Sequence, residues 1–285
     1  MAGADADDDA LLVLTAVLLT PGRFPSVLGD DYAAACAALS LEPYEEGYGL
    51  VLGQDGDGAR WTVVVEDVSL VAVAIAAWDC GMEHDLSPDD RTVLCALPGW
   101  PLAVAVAAPG VPAPHDPRTD GVGPAPLTPP DTGVWGPAQR RLGADEIAGQ
   151  WALWREQIDD AEFVRPGGEG PGDTEGTAEP GDGGAVAADL AGDGGRHPGV
   201  RRALSEALAY TTAAPPPPGR IRSAFASADA RTLRVDGPGW SMVARTDDIA
   251  FILLDEEPGE VLPVGRGQHL PGLLKALDAL AARPA

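Results

Sequence analysis

The feature that most constrains this fold is a stretch that cannot enter a core. Between Arg165 and Arg196 the chain reads RPGGEGPGDTEGTAEPGDGGAVAADLAGDGGR, and Val186 and Leu190 are its only large apolar side chains. Such a composition buries too little apolar surface to offset the entropy of ordering, so a flexible acidic linker is expected there. A second interruption, Ala108 to Gly133, is crowded with proline and is expected to be extended and semi-rigid. What remains of the 285 residues is enough for two modest lobes, one on each side. The expected layout is an N-terminal α+β lobe over 10–107 and a Pro-rich loop or linker over 108–133. An amphipathic Trp-bearing helix then occupies 134–164, a disordered Gly/acidic linker 165–196, and a C-terminal α+β lobe 197–283.

In the first lobe, DDYAAACAAL from Asp30 to Leu39 predicts a short helix with Asp30 as its cap. YGLVLG, RWTVVVED and SLVAVAIAAW read as strands from their β-branched content and glycine punctuation, and TVLCAL and PLAVAVAA add two more. The small, continuous apolar run Leu70 to Ala77 predicts a strand covered on both faces, with a helix as the alternative. Between the two interruptions, Ile147, Trp151, Trp154 and Ile158 recur at helical spacing and predict one helix over about 144–160. In the last lobe, HPGVRRALSEALAY predicts a helix ended by APPPPG. A meander follows through IRSAFAS, RTLRVDG, WSMVAR, DIAFILLD and EVLPVG, and the leucine stripe of LPGLLKALDALAA predicts a closing helix. The fold class is therefore α+β, with two lobes, each an antiparallel meander packed with one or two helices.

GARWTVV from Gly58 and GPGWSMV from Gly237 share a Gly-x-x-Trp-[Thr/Ser]-x-Val pattern after a turn rich in aspartate or glycine. The echo admits either a distant internal duplication or convergence on one hairpin chemistry.

Charge sets the partners. With 44 acidic against 19 basic residues the net charge is −25, which opposes binding to nucleic acid or to an anionic membrane surface. The run ALLVLTAVLL, 10–19, is shorter than the roughly 20 apolar residues a membrane span needs, and MAGADADDDA lacks the positive start of a signal peptide. A soluble, cytoplasmic protein is expected. Cys36, Cys80 and Cys95 are too few and too scattered for a disulfide framework. Arginine far outnumbers the single lysine, Lys275, and with the many glycines, prolines and alanines this reflects GC-rich coding rather than function.

Asp55, Asp57 and Glu66 match the first, third and twelfth positions of a calcium loop, but Arg60 stands where that loop needs glycine and Ala59 where it needs oxygen. QDGDGAR is a hairpin turn instead. Cys80, Glu83, His84 and Cys95 carry zinc-ligand chemistry without a familiar spacing. His84, His115, His197 and His269 sit in no triad context, no Gly-x-Ser-x-Gly elbow occurs, and GRGQHL from Gly265 lacks the third glycine of a dinucleotide fingerprint. Acidic pairs are frequent but expected among so many carboxylates. No catalytic residue, cofactor or metal is assigned.

The leading expectation is thus a non-catalytic protein-binding protein: an adaptor, secretion chaperone or regulator with a protein partner. Trp151, Trp154, Asp247 and Asp248 are its candidate partner-binding residues, the tryptophans as an interface stripe or as core anchors. An acidic immunity-type inhibitor of a basic toxin is the alternative, and a metal-dependent enzyme using clustered carboxylates the third reading. The two-lobe arrangement is loosely similar to the EspG-type chaperones of actinobacterial type VII secretion, at the level of fold and with no shared motif.

Overall fold

A computed structural model describes residues 11–24, 28–68, 84–85, 89–100, 116–117, 121, 123–128, 131, 133–159 and 197–281. The chain divides into two compact units, Met1–Val134 with Pro217–Gly219, and Trp135–Pro216 with Arg220–Ala285. Each is built on an antiparallel sheet carrying helices, so the α+β class with two sheet-based lobes is observed. The strands expected at Leu70–Ala77 and Pro101–Ala108, and the linker over 165–196, lie outside the described residues.

The first unit contains β1 (Leu12–Leu19), α1 (Tyr32–Ala38), β2 (Tyr48–Gln54), β3 (Arg60–Val65), β4 (His84–Asp85) and β5 (Val93–Pro98), with strand order β4-β1-β2-β3-β5. The apolar run too short to span a membrane is β1, paired antiparallel with β2 from Leu12↔Gln54 to Leu19↔Tyr48. Helix α1 is capped by Asp31 rather than Asp30. Asp31 takes the extended conformation directly before Tyr32, and its carboxylate accepts from the Ala34 amide at 2.6 Å. The helix packs with Leu19, Tyr48, Leu50 and Val64 around buried Tyr32 and Cys36. Both buried phenols find backbone acceptors in the loop before β2: Tyr32 donates to the Tyr44 carbonyl at 2.7 Å and Tyr48 to the Glu42 carbonyl. Part of the Pro-rich segment joins this unit. Leu127 bridges Gly99 in parallel, and Gly99 sits at φ +79° with a Cβ position only 2.2 Å from the Leu127 carbonyl, so only glycine fits there. Asp116 takes a bidentate bond from Arg60 at 2.6 and 2.7 Å.

The second unit contains α2 (Pro137–Gly149), α3 (Trp151–Glu156), α4 (Pro198–Thr212), β6 (Ile221–Ser227), β7 (Ala230–Gly237), β8 (Trp240–Arg245), β9 (Ala250–Leu254), β10 (Leu262–Val264) and α5 (Leu270–Ala281). The sheet is an unbroken meander, β10-β9-β8-β7-β6, with helices on both faces. Leu233, Val235, Trp240, Met242, Ile252 and Leu254 point to α4 and α5. The alternate residues Val243, Phe251 and Leu253 point to Ala144, Ile147 and Trp151 of α2 and α3. The single helix expected over about 144–160 is two helices, starting earlier at Pro137 and interrupted at Gln150, whose ψ of 33° leaves the helical region. The Trp-bearing segment is thus one layer of the second unit.

The two echoed tryptophans are each opposite a cross-strand glycine: Trp61↔Gly53 and Trp240↔Gly237. Their hairpins differ. Trp61 lies one pair inside a loop over 55–59, whereas Trp240 closes a two-residue turn with its indole over Gly237, where a Cβ would come within 2.2 Å of the ring.

Candidate functional site

On strand β7, Leu233 and Val235 alternate with Arg234 and Asp236, so one face of the strand is apolar and the other ionic. The ionic face would ordinarily meet water; here α2 covers it. Asp236 is 0% exposed. Its carboxylate accepts from Arg234 at 3.0 Å, from Ser241 at 2.6 Å and from Arg222 at 3.0 Å, and Arg141 stands 3.5 Å away. Arg140, also fully buried, donates to Ser241 at 2.5 Å and to Asp255 at 2.7 Å, and Asp145 accepts from Arg234 at 3.1 Å. Gly143 lets α2 approach the sheet closely, since a Cβ there would already press on Leu253 at 3.2 Å.

Electrostatics holds the network together. Burial alone would push the Asp236 carboxyl up, but Arg234, Arg141 and Arg222, with the Ser241 hydroxyl, hold it well below the usual carboxylate range. Burial pushes the Arg141 guanidinium down to about 9, against the pull of Asp236, so it remains charged at neutral pH. The Asp236 oxygens are thus committed to internal donors. The arrangement can fix α2 on the sheet.

The residues singled out in the sequence are dispersed by the fold. Trp151 is buried edge-on against Phe251, with ring centroids 5.2 Å apart, so it anchors the core. Trp154 packs half-buried in the same cluster, and the exposed apolar side chain of α3 is Leu153. Asp248 pairs with Arg155 at 3.0 Å and ties the β8–β9 turn to α3, while Asp247 pairs with Arg245 at 3.0 Å on the surface. The Asp55 carboxylate accepts from the Asp57 and Ala59 amides at 3.0 and 2.9 Å and from the Trp61 indole at 2.8 Å, which makes it the organiser of a turn. Cys95 packs half-buried against the first unit's core, and burial pushes its thiol up; Cys80 and Glu83 lie outside the described residues. His197 faces Glu257 at 3.1 Å beside the start of α4. Among the described residues, no group of three or more His, Cys, Asp or Glu side chains could hold a metal ion.

Strand order locates the sheet edges that could receive a partner by strand addition. Of the terminal strands, β4 has two residues, β10 has three and contains Pro263, and β5 is interrupted by a bulge at Leu94 and met by the Leu127 bridge. These are the usual ways of blunting an edge. Strand β6 has a bulge at Ala226, near its end, and is regular over Ile221–Phe225. It is seven residues long, without proline or acid, and among the described residues it pairs only with β7. Phe225 stands 71% exposed on it. In IRSAFAS the one charge, Arg222, is turned inward to Asp236, and only strand order shows that this segment forms an edge.

No family model, curated protein or solved structure matches this chain. Among the described residues, no helix is long and apolar enough to cross a membrane.

Proposed function

We propose that this is a non-catalytic protein-binding protein, an adaptor, secretion chaperone or regulator, that receives an extended segment of its partner on the β6 edge. The observation carrying the reading is that, among the described residues, β6 pairs only with β7, with Phe225 exposed beside it. An edge strand offers the partner a ready ladder of backbone bonds, and an exposed aromatic beside it supplies apolar area at low entropic cost. Trp151 is committed to the core, so the edge takes the place of the tryptophan stripe as the binding surface.

The test is affinity capture from the native lysate with the wild-type chain and with Phe225→Glu, at low and high salt. The expected result is a stoichiometric protein retained by the wild type and lost with the variant. A partner held equally by both would remove β6 from the interface, and no partner under either condition would overturn the reading. Capture that collapses in salt would favour the acidic inhibitor, whose association with a basic toxin is driven by charge.

A further inference from the structure

The ladder between β6 and β7 fixes which backbone groups of β6 face outward. Ile221 pairs with Val235, so Arg220 lies opposite Asp236, and the Asp236 amide donates to the Arg220 carbonyl at 2.8 Å. In an antiparallel ladder this makes 220/236 a hydrogen-bonded pair, and 222/234 and 224/232 follow by alternation. The amides and carbonyls of Ile221, Ser223 and Phe225 therefore point away from β7, where no described strand pairs with them. The same three side chains share the sheet face that carries α5, where Ser223 donates to Asp278 and Ile221 packs on the helix-covered core.

We infer that in the protein alone this edge is occupied by β6 of a second copy, antiparallel about a two-fold axis through Ser223. In that register Ser223 meets Ser223 and Ile221 meets Phe225 of the other copy, on both sides of the axis. Every outward amide and carbonyl of the three residues gains a partner, and each exposed phenylalanine ring is covered by an isoleucine. Charge permits the match. Two chains of net charge −25 repel, yet β6 carries no acid, the Asp278 carboxylate beside Ser223 at the axis is faced by Arg231 of its own copy at 3.7 Å, and the one charged residue of β6, Arg222, falls opposite Ala224. Isologous pairing of this kind closes both edges and leaves a dimer rather than a filament. The inference rests on the edge being a binding surface, and it adds regulation: a partner must compete with self-association.

The test is sedimentation equilibrium of the full chain over a concentration series. The expected behaviour is a monomer–dimer equilibrium that tightens with added salt, as the mutual repulsion is screened. Phe225→Glu should abolish the dimer. Position 224 is register-specific: Ala224→Glu sets a carboxylate against Arg222 of the other copy and should tighten the dimer roughly tenfold, while Ala224→Lys should weaken it by a similar factor. Net charge alone predicts the reverse order for this pair. Both positions are exposed, and circular dichroism confirms that the variants fold. A monomer at all concentrations, a dimer indifferent to positions 224 and 225, or a dimer tightened by lysine and loosened by glutamate would each overturn the inference. The edge itself is judged separately, by whether Phe225→Glu loses a captured partner.

Discussion

The two units share an antiparallel sheet and a tryptophan opposite a cross-strand glycine, but their interiors differ in how much charge they bury. In the first, the buried polar side chains are mostly uncharged: the phenols of Tyr32 and Tyr48 and the thiol of Cys36, each protonated, and the hydroxyl of Thr62, while among the described residues its one buried carboxylate, Asp31, caps α1. In the second, buried guanidinium groups surround a carboxylate under α2. A neutral acid costs little to bury once its proton has an acceptor, whereas a buried charge is tolerable only while its counter-charge remains. One fold class thus yields two interiors with different points of failure.

The sharpest way to break the comparison is to delete one polar group from each. Asp236→Ala leaves Arg141, Arg234 and Arg222 clustered without their shared carboxylate and should cost about 3–5 kcal/mol, the range for breaking a buried pair from one side. Thr62 is equally buried in the first unit and donates to the Gly99 carbonyl at 2.8 Å. Thr62→Val should cost only about 1 kcal/mol. Hydrogen exchange over β2–β3 and over β7–β8 reads each unit separately. Equal losses from the two substitutions would show that the ionic layer is no more demanding than an ordinary hydrogen bond.

Titration gives the next largest contrast, with opposite signs. Asp236 is held below its ordinary 3.8, so its contribution is complete above that pH and is lost as pH falls toward the folded value. Burial raises Tyr48 from 10.0 to about 12 and raises Tyr32 further, so their contribution is complete below pH 10 and is lost as pH rises through the folded values. Arg141, pushed down to about 9, carries a burial cost on its charged form that is relieved as pH rises above that value. Exchange protection should therefore fail first over β7–β8 in acid and first over β2–β3 in alkali. Failure of both regions at the same end of the pH scale would dissolve the distinction.

The sequence discloses the two interiors unequally, for physical reasons. The meander β6 to β10 is legible because its turns are short and rich in glycine, proline and aspartate, and the leucine stripe of α5 has clear helical spacing. Strand β1 is harder to read: LVLTAVLL is apolar on both faces, so no alternation marks it as a strand. The ionic layer leaves the least trace. Arg140 and Arg141 in PAQRRLGADEIAG look like an outward face, and Arg234 and Asp236 look like the solvent side of an alternating strand. Each reading is locally sound. Only the docking of α2 on the sheet, set by Ala144, Ile147 and Trp151 one to three turns further along, brings the two faces together and removes the water between them.

The smallest effects belong to the acidic pair that the sequence had favoured. Asp247 is 53% exposed and meets Arg245 within its own turn, so Asp247→Asn should change stability by less than about 0.5 kcal/mol. Asp248 reaches Arg155 on α3, and both side chains are about three-quarters covered, so Asp248→Asn should cost more, about 0.5–1 kcal/mol. The loss should appear as faster exchange in α3 rather than in the sheet, because this pair adds only to the hold that Trp151 already has on Phe251. Measured at 0.05 and 0.5 M salt, the Asp248 effect should shrink and the deletion of Asp236 should not, since screening reaches partly exposed pairs but not a carboxylate enclosed under α2. If salt softened both alike, the layer under α2 would be open to water, and the second unit's interior would differ from a surface ion pair only in degree.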